Sequence, residues 1–335
     1  MDNNAIKISV VGTGKMGYYH ARLLSRLGCL DSIVDSNPEI SKKVGNQFNT
    51  AWFSSIKEMS EERTPNGIII AVPTDKHYNV TIEAINRIPD LNTILIEKPI
   101  ASSVDEAIFL HEELKKRNVK TIIGHIEVFN PVITRIQEII KEGIIGTPRS
   151  ALFQRRGAVA EERIESIGDV YEDIGVHDFD VALRLFSIKE CKLFSTALKL
   201  NKIDNSSTII LASESDDFFV TFLMSREFAG KLRTIDIEGT KATLCTNLLT
   251  QILELRSLEI ARGDRDISAI RIPFSNGEQI KVYGEPLLHE IWNFIDCIRG
   301  KAEPMVTTID GIKVLKLVEA ARKSIETGEI VYLQF

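Results

Sequence analysis

The segment Thr93-Ile94-Leu95-Ile96-Glu97-Lys98-Pro99-Ile100 runs four apolar or β-branched residues into a pair of opposite charges and a proline. Charges and proline are ordinary where a strand end meets solvent. Such an end can also carry chemistry. A lysine ammonium there can stabilise an alkoxide forming on a substrate and lower the pKa of a neighbouring base. A second stretch, Asp169–Asp180, reads DVYEDIGVHDFD. Taken as the start of one helix over Val170–Leu185, it sets Asp173 and His177 four residues apart, on one face. A carboxylate beside an imidazole raises its basicity and fixes its tautomer. An imidazole so supported is a general base for an alcohol proton. An acidic first turn followed by a surface histidine would carry the same letters. The histidines, His20, His77, His111, His125, His177 and His289, form no H-x-x-x-H pair and no Cys/His cluster. Alcohol chemistry here is therefore expected to use lysine and imidazole in place of a metal.

The elements that must position these groups begin with a short apolar strand, Ile6–Val11. It leads into Gly12-Thr13-Gly14-Lys15-Met16-Gly17 and then into an amphipathic helix over Lys15–Leu27. A G-x-G-x-x-G string between strand and helix is a dinucleotide-binding signature. Gly12 permits the tight turn, Gly14 lets the backbone approach a pyrophosphate, and Gly17 lets helix and strand pack closely. The phosphates would lie at the positive end of the helix. The second strand, Leu30–Val34, ends at Asp35. A carboxylate at that point can accept hydrogen bonds from the adenosine ribose hydroxyls, and it repels a 2′-phosphate. Ser36 follows where an arginine would receive that phosphate, so NAD is expected in preference to NADP.

Apolar strands and amphipathic helices continue to alternate through Gly67–Val72, Lys76–Ile88, Asn92–Ile96, Val104–Arg117 and Lys120–Ile123. That rhythm predicts a parallel sheet covered on both faces. In such folds ligands bind at the carboxyl ends of the strands, where Glu97-Lys98-Pro99 and Pro73-Thr74-Asp75-Lys76-His77 stand. After Asn130-Pro131 the pattern changes. Strand candidates follow one another without intervening helices at 192–202, 207–213, 218–225, 232–238, 242–246 and 252–258, which predicts a mostly antiparallel sheet. Helices at 287–298 and 310–326 and a last strand at 330–334 close the chain. The expected organisation is α/β: a doubly wound Rossmann domain over 1–125 and an α+β domain over 126–335 for substrate binding and oligomerisation.

Composition narrows the function. The 335 residues carry a net charge of −6 with 44% hydrophobic and 26% charged residues, the profile of a globular protein with a large core. No segment is dominated by lysine and arginine, so neither nucleic acid nor an anionic membrane is expected as a partner. Cys29, Cys191, Cys245 and Cys297 are far apart, as suits a reducing compartment. With no signal-like N-terminus and no membrane-length apolar run, a cytoplasmic location is expected.

The motifs VVGTGKMG, AVPTDKH, EKP, GHIEVFNP and DIGVHDFD, in this order, resemble the glucose-fructose oxidoreductase / inositol dehydrogenase / MocA family over essentially the whole chain. The resemblance implies a Rossmann domain and a second domain with an open, largely antiparallel sheet, whose exposed face makes a dimer or tetramer interface. It implies that Lys98, Asp173 and His177 form the catalytic group and that the Lys98–Pro99 bond is cis. It places Val72, Pro73, Thr74, His77, Glu97 and Lys98 with the glycine loop and Asp35 at the cofactor. It places Asn130 and Arg156 with the catalytic group at the substrate. Within the family, GHIEVFNP, GDVYEDIGVHDFDVALRLF and the final helices look most like enzymes that oxidise the 3-hydroxyl of UDP-N-acetylglucosamine with NAD. The ketone so formed feeds 3-amino-sugar synthesis, as in lipopolysaccharide or lipid A biosynthesis. One departure is Val128, where relatives carry arginine; that contact is absent or supplied elsewhere, with Arg155 and Arg156 the candidates. A dehydrogenase of a free sugar or cyclitol such as an inositol is the alternative, since it uses the same residues. A non-catalytic NAD-binding regulator on the same fold is a third reading, disfavoured by the joint presence of Lys98, Asp173 and His177.

Overall fold

The computed structural model describes residues 6–214, 217–257, 280–281 and 284–335. The chain divides into two compact units, one of residues up to Ile126 with Pro286–Leu315, the other of Glu127–Glu285 with Lys316–Phe335.

The first unit is built on a six-stranded sheet in the order β3-β2-β1-β4-β5-β6. Its strands are β1 Ile8–Val11, β2 Leu30–Val34, β3 Ala51–Phe53, β4 Gly67–Ile70, β5 Thr93–Glu97 and β6 Lys120–Gly124. All pairings are parallel, the doubly wound order of a dinucleotide-binding fold. Residues of β1, β4 and β5 are buried throughout, which is why they read as continuous apolar runs rather than alternating ones. The helices are α1 Lys15–Arg26, α2 Pro38–Phe48, α3 Ile56–Glu62, α4 His77–Arg87 and α5 Val104–Lys116. Serine or asparagine caps start three of them: Asn37 for α2, Ser55 for α3 and Ser103 for α5, each satisfying an amide that the helix leaves open.

A boundary near residue 125 with everything later in the second domain does not hold. The helix labelled α9 here, Pro286–Ile298, belongs to the first unit. Its buried residues Leu287, Ile291, Phe294, Ile295 and Cys297 share one core cluster with Ile8, Val10, Leu24, Ile69 and Leu95. Gly67 leaves room for it, since a Cβ there would meet Phe294 at 2.9 Å and Ile298 at 2.6 Å. An amphipathic pattern announces that a face will be buried but not which sheet it will cover.

The second unit contains α6 Pro131–Lys141, α7 Glu161–Ile167, α8 Val176–Phe186 and a nine-stranded sheet. The strands in chain order are β7 Pro148–Gly157, β8 Glu190–Leu200, β9 Ile203–Ser213, β10 Phe219–Ser225, β11 Lys231–Gly239, β12 Ala242–Asn247, β13 Ile252–Ser257, β14 Ile280–Lys281 and β15 Val331–Gln334. Their order is β14-β13-β12-β11-β7-β10-β9-β8-β15. Only β7 and β10 pair in parallel; the other pairings are antiparallel. Burial alternates along β10, with Val220, Phe222 and Met224 on the covered face. The opposite face exposes Phe194, Leu198, Ile210, Phe219 and Tyr332. A last helix, α10, covers Thr308–Thr327. No helix among the described residues is long and apolar enough to cross a membrane.

Candidate functional site

At the carboxyl ends of β1 and β4, where the strand order reverses, the first unit carries a cavity of about 690 Å³. Gly12, Thr13, Gly14, Lys15, Met16, Asp35, Val72, Pro73, Glu97 and Lys98, all named as cofactor residues above, line it. Gly12 has φ +86°, and a Cβ there would lie 2.6 Å from the Ala71 carbonyl oxygen. A Cβ on Gly17 would lie 1.9 Å from the Gly12 oxygen, so the first turn of α1 can rest on the loop only because that residue is glycine. A Cβ on Gly14 would meet no protein atom within 4 Å, which leaves ligand space in front of the helix end. No side chain caps α1 and its first turn has no acid, so its open amides suit an anion such as a pyrophosphate. Asp35 accepts from the Thr13 amide (2.8 Å) and hydroxyl (2.7 Å) through Oδ2 and from the Asn37 amide (2.9 Å) through Oδ1. These bonds hold the carboxylate at the cavity edge.

Three predicted cofactor residues, Gly17, Thr74 and His77, are absent from the lining. Gly17 acts through packing. His77 is buried, with Nδ1 2.9 Å from the Pro99 carbonyl oxygen and Nε2 2.9 Å from that of Val72. It ties the ends of β4 and β5 together from beneath. Burial draws its pKa below the ordinary histidine value, against the pull of those carbonyls and of Glu97. Conversely, Ser54, Ser55 and Ile56 line the cavity unpredicted. They join β3 to α3, and a signal for them exists: Ser55-x-x-Glu58 is a capping box, with Ser55 accepting from the Glu58 amide and Glu58 accepting from Ser54. The Lys98–Pro99 peptide is cis.

In the second unit Asp173 and His177 do not share one α-helix. Tyr171–Gly175 forms a π-helical turn, with the Val176 amide bonded to the Tyr171 oxygen, and α8 begins only at Val176. Such turns insert one residue into a helix and occur often at functional sites. Two arginines fasten the acidic stretch before it. Arg226 is 1% exposed and donates to Asn205 Oδ1 (2.8 Å), the Gly168 oxygen (2.8 Å) and the Asp204 oxygen (3.2 Å). Its Nη1 stands 3.6 Å from Asp173 Oδ2. Arg322 donates to Asp169 and Glu172.

The structure places the two candidate arginines, Arg155 and Arg156, differently. Arg155 is buried and bonds Asp178 Oδ1 through Nε (2.9 Å) and Nη2 (2.7 Å), and Glu127 Oε1 through Nη1 (3.0 Å). Burial opposes its charge, but the two carboxylates outweigh that and raise its pKa further. Arg156 points to the other face of the sheet, because successive strand residues alternate; its guanidinium stacks 4.4 Å from the Phe228 ring centre. The arginine that shares the face of Arg155 is Arg233, its register partner on β11. Its side chain is 32% exposed and Nη1 lies 3.3 Å from Glu127 Oε1. Asn130 caps α6: Oδ1 accepts from the Val132 amide (3.1 Å) and Nδ2 donates to Glu127 (3.4 Å). Both ends of that amide are used inside the protein. Val128 is buried.

Two family models match consecutive parts of the chain. Residues 6–125 match the oxidoreductase family with an NAD-binding Rossmann fold. Residues 133–245 match the GFO/IDH/MocA C-terminal domain. The chain belongs to the Gfo/Idh/MocA oxidoreductase family. Its first unit is the NAD-binding Rossmann domain of that family. Among solved structures it is similar to UDP-N-acetylglucosamine 3-dehydrogenase GnnA of Acidithiobacillus ferrooxidans, with TM-score 0.82 and 20% identity over 96% of this chain and 98% of that one. It is also similar to the WlbA dehydrogenase of Bordetella pertussis in complex with NADH and UDP-GlcNAcA, with TM-score 0.79 and 17% identity over 99% and 100%. By sequence it is 24% identical over 345 residues to the scyllo-inositol 2-dehydrogenase (NAD(+)) of Bacillus subtilis, covering 98% of this chain and 96% of that protein.

Asp35 and the neighbouring Ser36 at the cavity edge generate a cofactor test. Wild type is expected to bind NADH at least tenfold more tightly than NADPH, and Asp35→Ala with Ser36→Arg to move the preference toward NADPH. Equal wild-type affinity for both, measured by titration of nicotinamide fluorescence, would remove Asp35 from this role.

Proposed function

We propose that the protein oxidises the 3-hydroxyl of UDP-N-acetylglucosamine with NAD, giving the 3-keto nucleotide sugar. The observation that carries this reading is Arg233. A partly exposed guanidinium on the sheet face that also holds Arg155, Glu127 and Asp178 offers forked donors to a diphosphate. A nucleotide sugar has that group and a free polyol does not. Polyol oxidation remains the second reading, supported by the full-length similarity to an inositol dehydrogenase.

In the proposed reaction the C3–H bond breaks toward NAD, which accepts the hydride when bound. The hydroxyl proton leaves at the same carbon's oxygen. Lys98, on the rim of the cofactor cavity, supplies positive charge to the oxygen as it becomes an alkoxide. His177, at the start of α8, takes the proton in its neutral form. Asp173, held by Arg226, orients the imidazole without taking the proton. The exposed apolar sheet face with Leu198 (69% exposed) and Tyr332 (67% exposed) is read as the interface of a homodimer or homotetramer. Solvent-exposed patches of this kind ordinarily mark association.

Four outcomes check the reading. NAD reduction is expected with UDP-N-acetylglucosamine and not with inositols or free N-acetylglucosamine; the reverse pattern selects the polyol reading. Lys98→Ala and His177→Asn are each expected to lower kcat about a hundred- to thousand-fold. The kcat/KM of wild type should rise with pH through one ionisation that His177→Asn flattens; the same ionisation persisting in the variant would make another group the base. Sedimentation should show an oligomer that Leu198→Glu with Tyr332→Glu dissociates, and a monomeric wild type would refute the interface.

A further inference from the structure

Joined to the cofactor cavity of the first unit through Glu97 is a cluster whose other members, His20 and Glu290, the proposed reaction does not use. His20 of α1, Glu97 of β5 and Glu290 of α9 are all buried, and their ligand-type atoms lie within 4.8 Å of one another. His20 Nε2 stands 2.7 Å from Glu97 Oε1. Glu97 Oε2 accepts the amide of Lys98 at 3.3 Å. Glu290 is 0% exposed, and neither of its oxygens has a hydrogen-bond partner among the described residues.

A bare carboxylate in that position would be costly, and a second carboxylate beside it compounds the cost. Among the described residues no cation meets Glu290. From α1 the group facing it is His20, already turned to Glu97. From β5 it is Glu97 itself. The nearest lysine of β6, Lys120, is bonded to the Ala302 oxygen (3.1 Å) and to Glu303 (2.8 Å). His20 Nε2 and Glu97 Oε1 meet at a hydrogen-bond distance of 2.7 Å, which leaves Glu290 as the unpartnered member of the cluster among the described residues. A proton on Glu290 removes the cost of burying its charge.

We propose that Glu290 is a buried, uncharged carboxylic acid and a positioning residue of the cofactor site, leaving Glu97 as the only carboxylate of the cluster beneath Lys98. In this state Glu97 keeps both its bond to His20 and its bond to the Lys98 amide. Ionised, Glu290 would push Glu97 away from both, and with it the chain segment that carries Lys98 to the cavity. Burial, with the charge on Glu97 adding to it, raises the pKa of Glu290 well above the ordinary glutamate value. The significance for catalysis rests on the role proposed for Lys98; the readouts below do not need a substrate.

The sign of the pH effect follows. A glutamate whose folded pKa is raised contributes fully to stability below its unfolded pKa, and that contribution is lost as pH rises toward the folded value. Relative to Glu290→Gln, the wild-type folding constant is therefore expected to fall about tenfold per pH unit above the ordinary glutamate range until Glu290 ionises. Parallel pH profiles for the two proteins would overturn the proposal. The full-length wild type at neutral pH is expected to show the infrared band of a protonated carboxylic acid, shifted by 13C-glutamate labelling and by deuterium exchange, and lost in Glu290→Gln. Absence of the band overturns it, and this arm needs only wild type if the variant does not fold. A stoichiometric divalent ion in purified wild type, lost in Glu290→Gln, would also overturn it and make the cluster a metal site.

Discussion

The first turn of α1 has to lie against the loop that follows β1, and the cofactor site depends on that contact. A Cβ on Gly17 would overlap the Gly12 oxygen, and one on Gly12 the Ala71 oxygen. With hydrogen in both places, the helix end is carried to the point where the order of the parallel strands reverses. Its open amides then face a cavity whose other walls come from the ends of β2, β4 and β5. The charged termination of β5 has the same origin: a strand buried along its length opens at its carboxyl end onto a ligand cavity. Lys98 stands there because it follows Glu97, the last buried residue of the strand.

Each unit supports its functional residues with buried ionisable groups. In the second unit, Arg155 and Arg233 meet Glu127 and Asp178. Arginine pulls Glu127 below the ordinary carboxylate range although burial acts the other way. Removing one member of such a network leaves an uncompensated buried charge, costing on the order of 3–5 kcal/mol. The network therefore fixes β7, β11 and α8 relative to one another. Arg226 does the same for the π turn bearing Asp173. The first unit has no arginine in its cluster; there a proton on Glu290 leaves Glu97 as the one carboxylate.

Most of this organisation is legible in the chain because it follows from periodicity. Continuous apolar strands announced the parallel sheet, strands in succession without helices between them the antiparallel sheet, and the glycine spacing located the cofactor loop. What escaped has specific reasons. β3 is three residues long, too short for a period, although the Ser55–Glu58 capping box marks the helix after it. The π turn at Tyr171–Gly175 leaves the apolar spacing of a helix almost unchanged, so DVYEDIGVHDFD reads as one α-helix. α9 shows a buried face without showing that it packs in the first unit. Arg233 could not be distinguished from other arginines until β11 was set in register with β7. Glu290 gives no sign in the letters HEIWNF that it is fully buried beside another glutamate.

The proposed activity is a hydride transfer, and it is tested most directly by following the hydride. UDP-N-acetylglucosamine carrying deuterium at C3 is incubated with the protein and NAD, and the dinucleotide is analysed by mass spectrometry and proton NMR. Transfer of the deuterium to the nicotinamide ring, with a 3-keto sugar still attached to UDP, is the result this account predicts. Deuterium retained on the sugar, under conditions in which an inositol reduces NAD, would contradict it.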